Sequence, residues 1–166
     1  MRIISLIAIS LACVMTGQYT AYRLNKRVRI LEKILLMLGI IENEIGYLSR
    51  PTGELIARLA EKSELDELTF LPECALLLEK GRGLADAWLI SLSQANGLDK
   101  SCTEILFSFS ENLGQSDTEG QLSNCRYHSE LIRERLASAR LKRDRCASLS
   151  CGLGFLSGLG LFIILI

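Results

Sequence analysis

Residues 117–146, DTEGQLSNCRYHSELIRERLASARLKRDRC, decide the fold class. Leu122, Ser129 and Leu136 recur every seven residues, with Cys125, Ile132 and Ala139 between them. That period places a moderately apolar stripe along one face of an otherwise polar helix. Ser116 or Asp117 stands where a side-chain oxygen caps a helix start. No Pro or Gly lies between Gln121 and Cys151, so the spacing predicts a helix that runs unbroken into the next segment.

That next segment, residues 147–166, carries no charge, and neither does the run 3–22 near the other end. All 19 acids and 18 of the 19 bases lie between Arg23 and Arg145. Each uncharged run has the roughly 20 residues, about 30 Å of helix, that span a bilayer core. Tyr19 and Tyr22 suit a membrane–water interface. A cleaved leader fits the first run less well: only Arg2 precedes it, the run is long, and basic residues follow at once. A lipoprotein signal at Cys13 is disfavoured by Ser10 three positions before it. In the second run Gly154 and Gly158 either form a small-xxx-small face along which another helix, from a partner or a second copy, can approach closely, or are merely accommodated in an apolar anchor. Arg23, Lys26, Arg27, Arg29 and Lys33 follow the first run, and Arg140, Lys142, Arg143 and Arg145 precede the second. Positive residues stay cytoplasmic, which predicts both termini outside and residues 23–146 inside.

Within 23–146 the chain reads as helices separated by breakers. Leu24, Leu31, Leu38 and Ile45 recur at seven residues, with Val28 and Leu35 between, up to Ser49-Arg50-Pro51. A short helix runs from Thr52 to Lys62, followed by an acidic connector with Glu61, Glu64, Asp66 and Glu67. Pro72 suits the first turn of a helix reaching Lys80. Gly81-Arg82-Gly83 breaks the chain before a helix with Ala87, Trp88, Leu92 and Ala95, which Asn96-Gly97 closes as a C-cap. Asp99 or Lys100 starts another, with Ile105, Leu106, Phe107 and Phe109. There is no strand-like alternation and no repeat. The expectation is all-α: a bundle of about six helices over 23–146, flanked by transmembrane helices at 3–22 and 147–166.

Little in the chain suits catalysis. Charge balance, 19 against 19, argues against a nucleic-acid surface. The six Cys form no Cys-x-x-Cys knuckle, and Cys125 with His128 on one helix gives two metal ligands where a tetrahedral site needs four. No phosphate loop or nucleophile elbow occurs. Gly81-Arg82-Gly83 reads as a hinge rather than a phosphate cradle. Asp117 and Glu119 read as a cap and a favourable charge at a helix N-terminus rather than a catalytic pair. The acidic stretch 61–73 reads as a solvated loop, or else as a docking surface for a basic partner. Trp88 reads as core. No enzyme activity, metal or cofactor is expected.

Several short motifs carry a resemblance: Glu42-Asn43-Glu44-Ile45-Gly46-Tyr47 followed by Pro51, then Ala87-Trp88, then Phe109 with Leu113-Gly114-Gln115-Ser116-Asp117 and Gln121. Leu-Gly-x-Ser-Asp-x-x-x-Gln is the most specific, joining a turn, a cap and a helix. With these the chain resembles the stage III sporulation protein AB family of endospore-forming bacteria over nearly its whole length. It departs at Thr52, where a Leu is expected, and at Gly120, early in a helix. The resemblance implies a membrane component of a multiprotein channel between mother cell and forespore. It implies likeness to the platform proteins of type II secretion and type IV pilus machines, with the central domain in the mother-cell cytoplasm. The implied partners are the ATPase-like stage III sporulation protein AA and other membrane proteins of the channel. That last step is a fold-level analogy.

The leading expectation is therefore a non-enzymatic platform whose long helix over 117–166, about 75 Å, couples nucleotide-driven motion to the membrane. Leu113, Gly114, Ser116, Asp117 and Gln121 form its structural or interaction motif: Gly114 reverses the chain, Asp117 caps, and Gln121 provides a buried or interfacial amide. A membrane-anchored sensor or adaptor gating another complex is the alternative. A membrane enzyme using Cys125, His128 or the Asp117/Glu119 pair is the third reading.

Overall fold

The structure is a computed structural model that describes residues 2–48, 52–95 and 97–165, with side-chain surroundings for 18–47, 53–95 and 97–146. The described residues are helical: α1 Arg2–Leu48, α2 Thr52–Ala60, α3 Phe70–Glu79, α4 Leu84–Gln94, α5 Lys100–Asn112 and α6 Thr118–Leu165, plus one 3₁₀ turn at Ser63–Leu65. The all-α expectation holds, with six helices where about six were expected. The first and last, 47 and 48 residues long, run on without a break into the two uncharged runs.

Two units form. One comprises Met1–Val28 with Ala137–Ile166, the other Arg29–Leu136. Among the described residues no helix is long and apolar enough to cross a membrane. The runs 3–22 and 147–166 lie outside the residues whose side chains are described, apart from 18–22, and so do Gly154 and Gly158.

In the unit Arg29–Leu136, the four short helices pack in sequence: α2 on α3, α3 on α4, α4 on α5. Local chemistry explains the corners. Asp99 accepts a hydrogen bond from the Cys102 amide at 2.9 Å and so caps α5. At the end of α3, Gly81 (φ +81°) donates to Leu78 O and Arg82 to Leu77 O, the paired bonds of a Schellman cap, and Gly83 then starts α4. The expected hinge is thus a hydrogen-bonded corner.

Aromatic residues hold these helices to one another. Phe70 of α3 meets Trp88 of α4 edge-on at 5.3 Å between centroids. Trp88 meets Phe109 of α5 at 6.2 Å, and Phe109 meets His128 of α6 at 5.5 Å. Trp88 is fully buried, and its Nε1 donates to Leu106 O at 3.0 Å, so neither its area nor its polar atom is unused.

Three expectations need correction. The seam of α1 is wider than the heptad reading: Ile30, Leu31, Ile34, Met37, Leu38 and Ile41 are buried, whereas Leu24, Leu35 and Ile45 are only half-buried. A heptad counts one neighbour. Here α1 also has ion pairs in three directions, Glu44 with Arg58 of α2, Arg29 with Glu67, and Glu42 with Arg126 of α6, so a broad face is enclosed. The acidic connector is not merely solvated, because Leu65 and Leu68 pin it to the core beneath its exposed acids. Finally, α4 ends at Gln94 with Ala95 already extended, and Gly97 (φ +97°) turns the chain only afterwards. Asn96 lies outside the described residues.

Candidate functional site

The turn between α5 and α6 carries the most specific motif, and Asp117 and Gln121 each have a local task in it. Leu113 ends α5 with its side chain buried and its amide on Ser110 O at 3.2 Å. Gly114 then adopts φ +78°, a conformation that costs a side-chain-bearing residue but not glycine. Asp117 Oδ1 accepts from the Gly120 amide at 3.1 Å, which makes it the cap of α6. Gln121 Nε2 donates to Ser116 O at 2.9 Å, tying the first turn of the helix back to the loop. Gln121 is half-buried, and its amide nitrogen donates within the motif.

Gly120 has its own explanation. A Cβ there would lie 2.9 Å from both Asp117 Oδ1 and Ser116 Oγ, and 3.0 Å from Ser116 Cβ. The glycine lets the Asp117 cap and the Ser116 side chain lie against the helix. Replacing Asp117 by Ala should cost about 1 kcal/mol. Gly120→Ala should also destabilise, although propensity alone favours Ala over Gly in a helix by about 1 kcal/mol. Thermal melts followed by circular dichroism check both. A loss of partner binding by Asp117→Ala at unchanged melting temperature would make the turn a docking site instead.

Other candidate groups are drawn together without forming a reactive set. Cys125 and His128 are both buried in α6. His128 Nδ1 donates to Asn124 O at 2.9 Å, and its Nε2 has no hydrogen-bond partner. Its ring packs between Phe109 and Tyr127. Asn124 in turn donates to Phe109 O at 3.1 Å, which fixes α5 on α6. Burial, and secondarily the negative charge of Glu42, pushes the Cys125 thiol up to about 12. Burial pushes Cys74 up to about 11, with a hydrogen bond from Ser91 acting the other way. A thiol so disfavoured as thiolate is a poor nucleophile and a poor metal ligand. Among the described residues no three His, Cys, Asp or Glu side chains gather as a metal site. Glu119 is exposed at the start of α6, where its charge meets the helix dipole.

A surface feature escaped the sequence reading. Glu119, Leu122, Ser123, Arg126, Tyr127 and Glu130 line a shallow groove on α6. Arg126 Nε donates to Glu42 Oε1 of α1 at 2.8 Å, and a Cβ on Gly46 would come within 3.8 Å of Leu122. Tyr127 is 62% exposed and Tyr47, next to Gly46, is 86% exposed. The available signal was Tyr127 itself, an aromatic on the charged side of the stripe. The pairing of α1 with α6, 84 residues apart at Glu42–Arg126, leaves no local trace.

Fold and site together define an all-α protein in which four short helices are inserted between two long ones, its most specific motif a capped turn. The chain belongs to the Stage III sporulation protein AB family, whose model matches residues 2–166. A solved structure described as Stage III sporulation protein AB superposes with a TM-score of 0.62 at 23% identity, covering 72% of this chain and 98% of that one. At that identity the likeness concerns the fold. No curated protein matches the sequence. Membership of the family implies a role in sporulation.

Proposed function

We propose that the chain is a non-enzymatic platform of a mother cell–forespore channel, anchored in the cell membrane by the runs 3–22 and 147–166. Its central helices face the mother-cell cytoplasm and dock the ATPase-like stage III sporulation protein AA. The observation that carries this reading is the family match over 2–166, combined with the segregation of all 19 acids between two uncharged runs. Supporting it, the groups a reaction would need are occupied otherwise: Asp117 caps a helix, His128 is packed between rings, and the Cys125 thiol is held protonated.

The surface offered to a partner is the groove on α6 with Tyr127 and Leu122, together with exposed Tyr47 of α1. Exposed aromatics beside an ion pair are what interface anchors look like before a partner covers them. Co-purification from sporulating cells in mild detergent should recover the ATPase with the intact chain. Tyr47→Ala with Tyr127→Ala should weaken recovery about tenfold or more, at an unchanged melting temperature. No association in mild detergent would count against the platform reading. Normal channel assembly in cells lacking the protein would favour the sensor or adaptor.

A further inference from the structure

The unit built from Met1–Val28 and Ala137–Ile166 brings two basic clusters into one body. One holds Arg23, Lys26 and Arg27, the other Arg140, Lys142, Arg143 and Arg145. Asp144 is the sole acid in the two stretches, and it pairs with Arg143 Nε at 2.9 Å. Arg23, Lys26, Lys142 and Arg145 are exposed.

Position along the helices gives the clusters a meaning. Residues 23–27 begin one residue after the first uncharged run, and 140–145 end two residues before the second starts. At about 1.5 Å per residue, both lie within roughly 10 Å of an apolar boundary, the depth of a headgroup layer. Apolar groups mark the same level. Tyr19 and Tyr22 are 63% and 59% exposed, Leu141 between Arg140 and Lys142 is 59% exposed, and the Arg23 guanidinium lies 5.9 Å from the Tyr19 ring centre. An exposed Leu flanked by cations gains nothing from water or from a nucleic acid. At a bilayer surface it meets acyl chains while the cations meet phosphates.

We infer that these two clusters form one collar that binds the headgroups of anionic phospholipids, phosphatidylglycerol being the simplest. The inference rests on the membrane-anchored reading and adds a lipid partner to it. Lys and Arg held near a headgroup layer each contribute enough to give severalfold selection of anionic over zwitterionic lipid.

The test uses the full chain reconstituted in phosphatidylcholine vesicles, with trace spin-labelled phosphatidylglycerol or spin-labelled phosphatidylcholine. The expected result is motional restriction of the anionic label with about fivefold or greater preference at low salt, falling to within about twofold in 1 M NaCl. The variant R23Q/K26Q/K142Q/R145Q should lose the preference while restricting as much phosphatidylcholine as before. Equal restriction of the two labels by the unaltered chain would overturn the collar while leaving the anchors standing. A preference that ignores salt would also overturn it, and the salt series needs no variant to fold. Restriction of neither label would overturn the anchors and the collar together.

Discussion

Trp88→Ala should lower the unfolding free energy by about 4 kcal/mol or more, the largest loss expected from any single substitution in the described core. The side chain is fully buried and touches rings on the helices before and after it, Phe70 and Phe109. Truncation to Ala removes that area and leaves a cavity, which costs about 3–5 kcal/mol for a Trp. It also removes the indole hydrogen bond to Leu106 O, a carbonyl that keeps its partner within α5, at about 0.5–1.5 kcal/mol. Small domains hold only about 5–15 kcal/mol in total, so the variant should be mostly unfolded in mild denaturant. Trp88→Phe keeps most of the burial and should lose only the hydrogen bond and some volume. Urea titration of the detergent-solubilised chain, followed by far-UV circular dichroism, measures both. An Ala variant as stable as the parent would mean that the aromatic chain from α3 to α6 does not hold the bundle together.

Cys125 should react with iodoacetamide about a thousandfold more slowly in the folded protein at pH 8 than after unfolding. The reason is the thiol's displacement from its ordinary 9.0 to about 12, three decades of thiolate population, before any loss of access is counted. Cys74, raised to about 11, should follow at about a hundredfold, and half-buried Cys146 should be modified first among the described cysteines. Timed quenching and peptide mapping give the rates. Modification of native Cys125 as fast as the unfolded thiol would revive the enzyme reading. The same shift has a consequence for stability. Below pH 9 the thiol is protonated in both folded and unfolded chains, and its contribution is fully present. Between 9 and about 12 the unfolded chain releases a proton that the folded chain keeps, so stability falls as pH rises, by about 1.4 kcal/mol per pH unit for each such thiol. Cys125→Ala should flatten that slope.

The parts of the fold that could be read from sequence are those written in local chemistry. The Gly81–Gly83 pair, Asp99 and Asp117 each break or cap the chain through bonds to near neighbours, and the helices beside them start and stop close to where these residues place them. Trp88 as core followed from size and apolarity alone. What could not be read depends on residues distant in sequence. Buried Ile34, Met37 and Ile41 fall outside the heptad positions, and nothing in their neighbourhood says that several elements surround α1. Leu65 and Leu68 were masked by the acids around them. In the turn, Gly114 and Asp117 were legible because their roles are local, whereas the bond of Gln121 Nε2 to a backbone oxygen five residues away was not, since an amide offers no sign of which acceptor it will take. Gly120 seemed a departure until the crowding by Ser116 and Asp117 gave it a reason.

The pairing of Glu42 with Arg126 across 84 residues also constrains how the polypeptide is made. As the nascent chain leaves the ribosome, the oily side of α1 (Ile30, Leu31, Ile34, Met37, Leu38 and Ile41) emerges long before α6 does. At about 5–20 residues per second the interval is on the order of ten seconds. During that wait α2 through α5 can collapse on one another, since each touches its successor, and α1 can meet α2 through Glu44 and Arg58, while the side of α1 that pairs with α6 stays uncovered. Synthesis that pauses in that window would leave a sticky half-product, a natural client for chaperones or for premature burial in lipid.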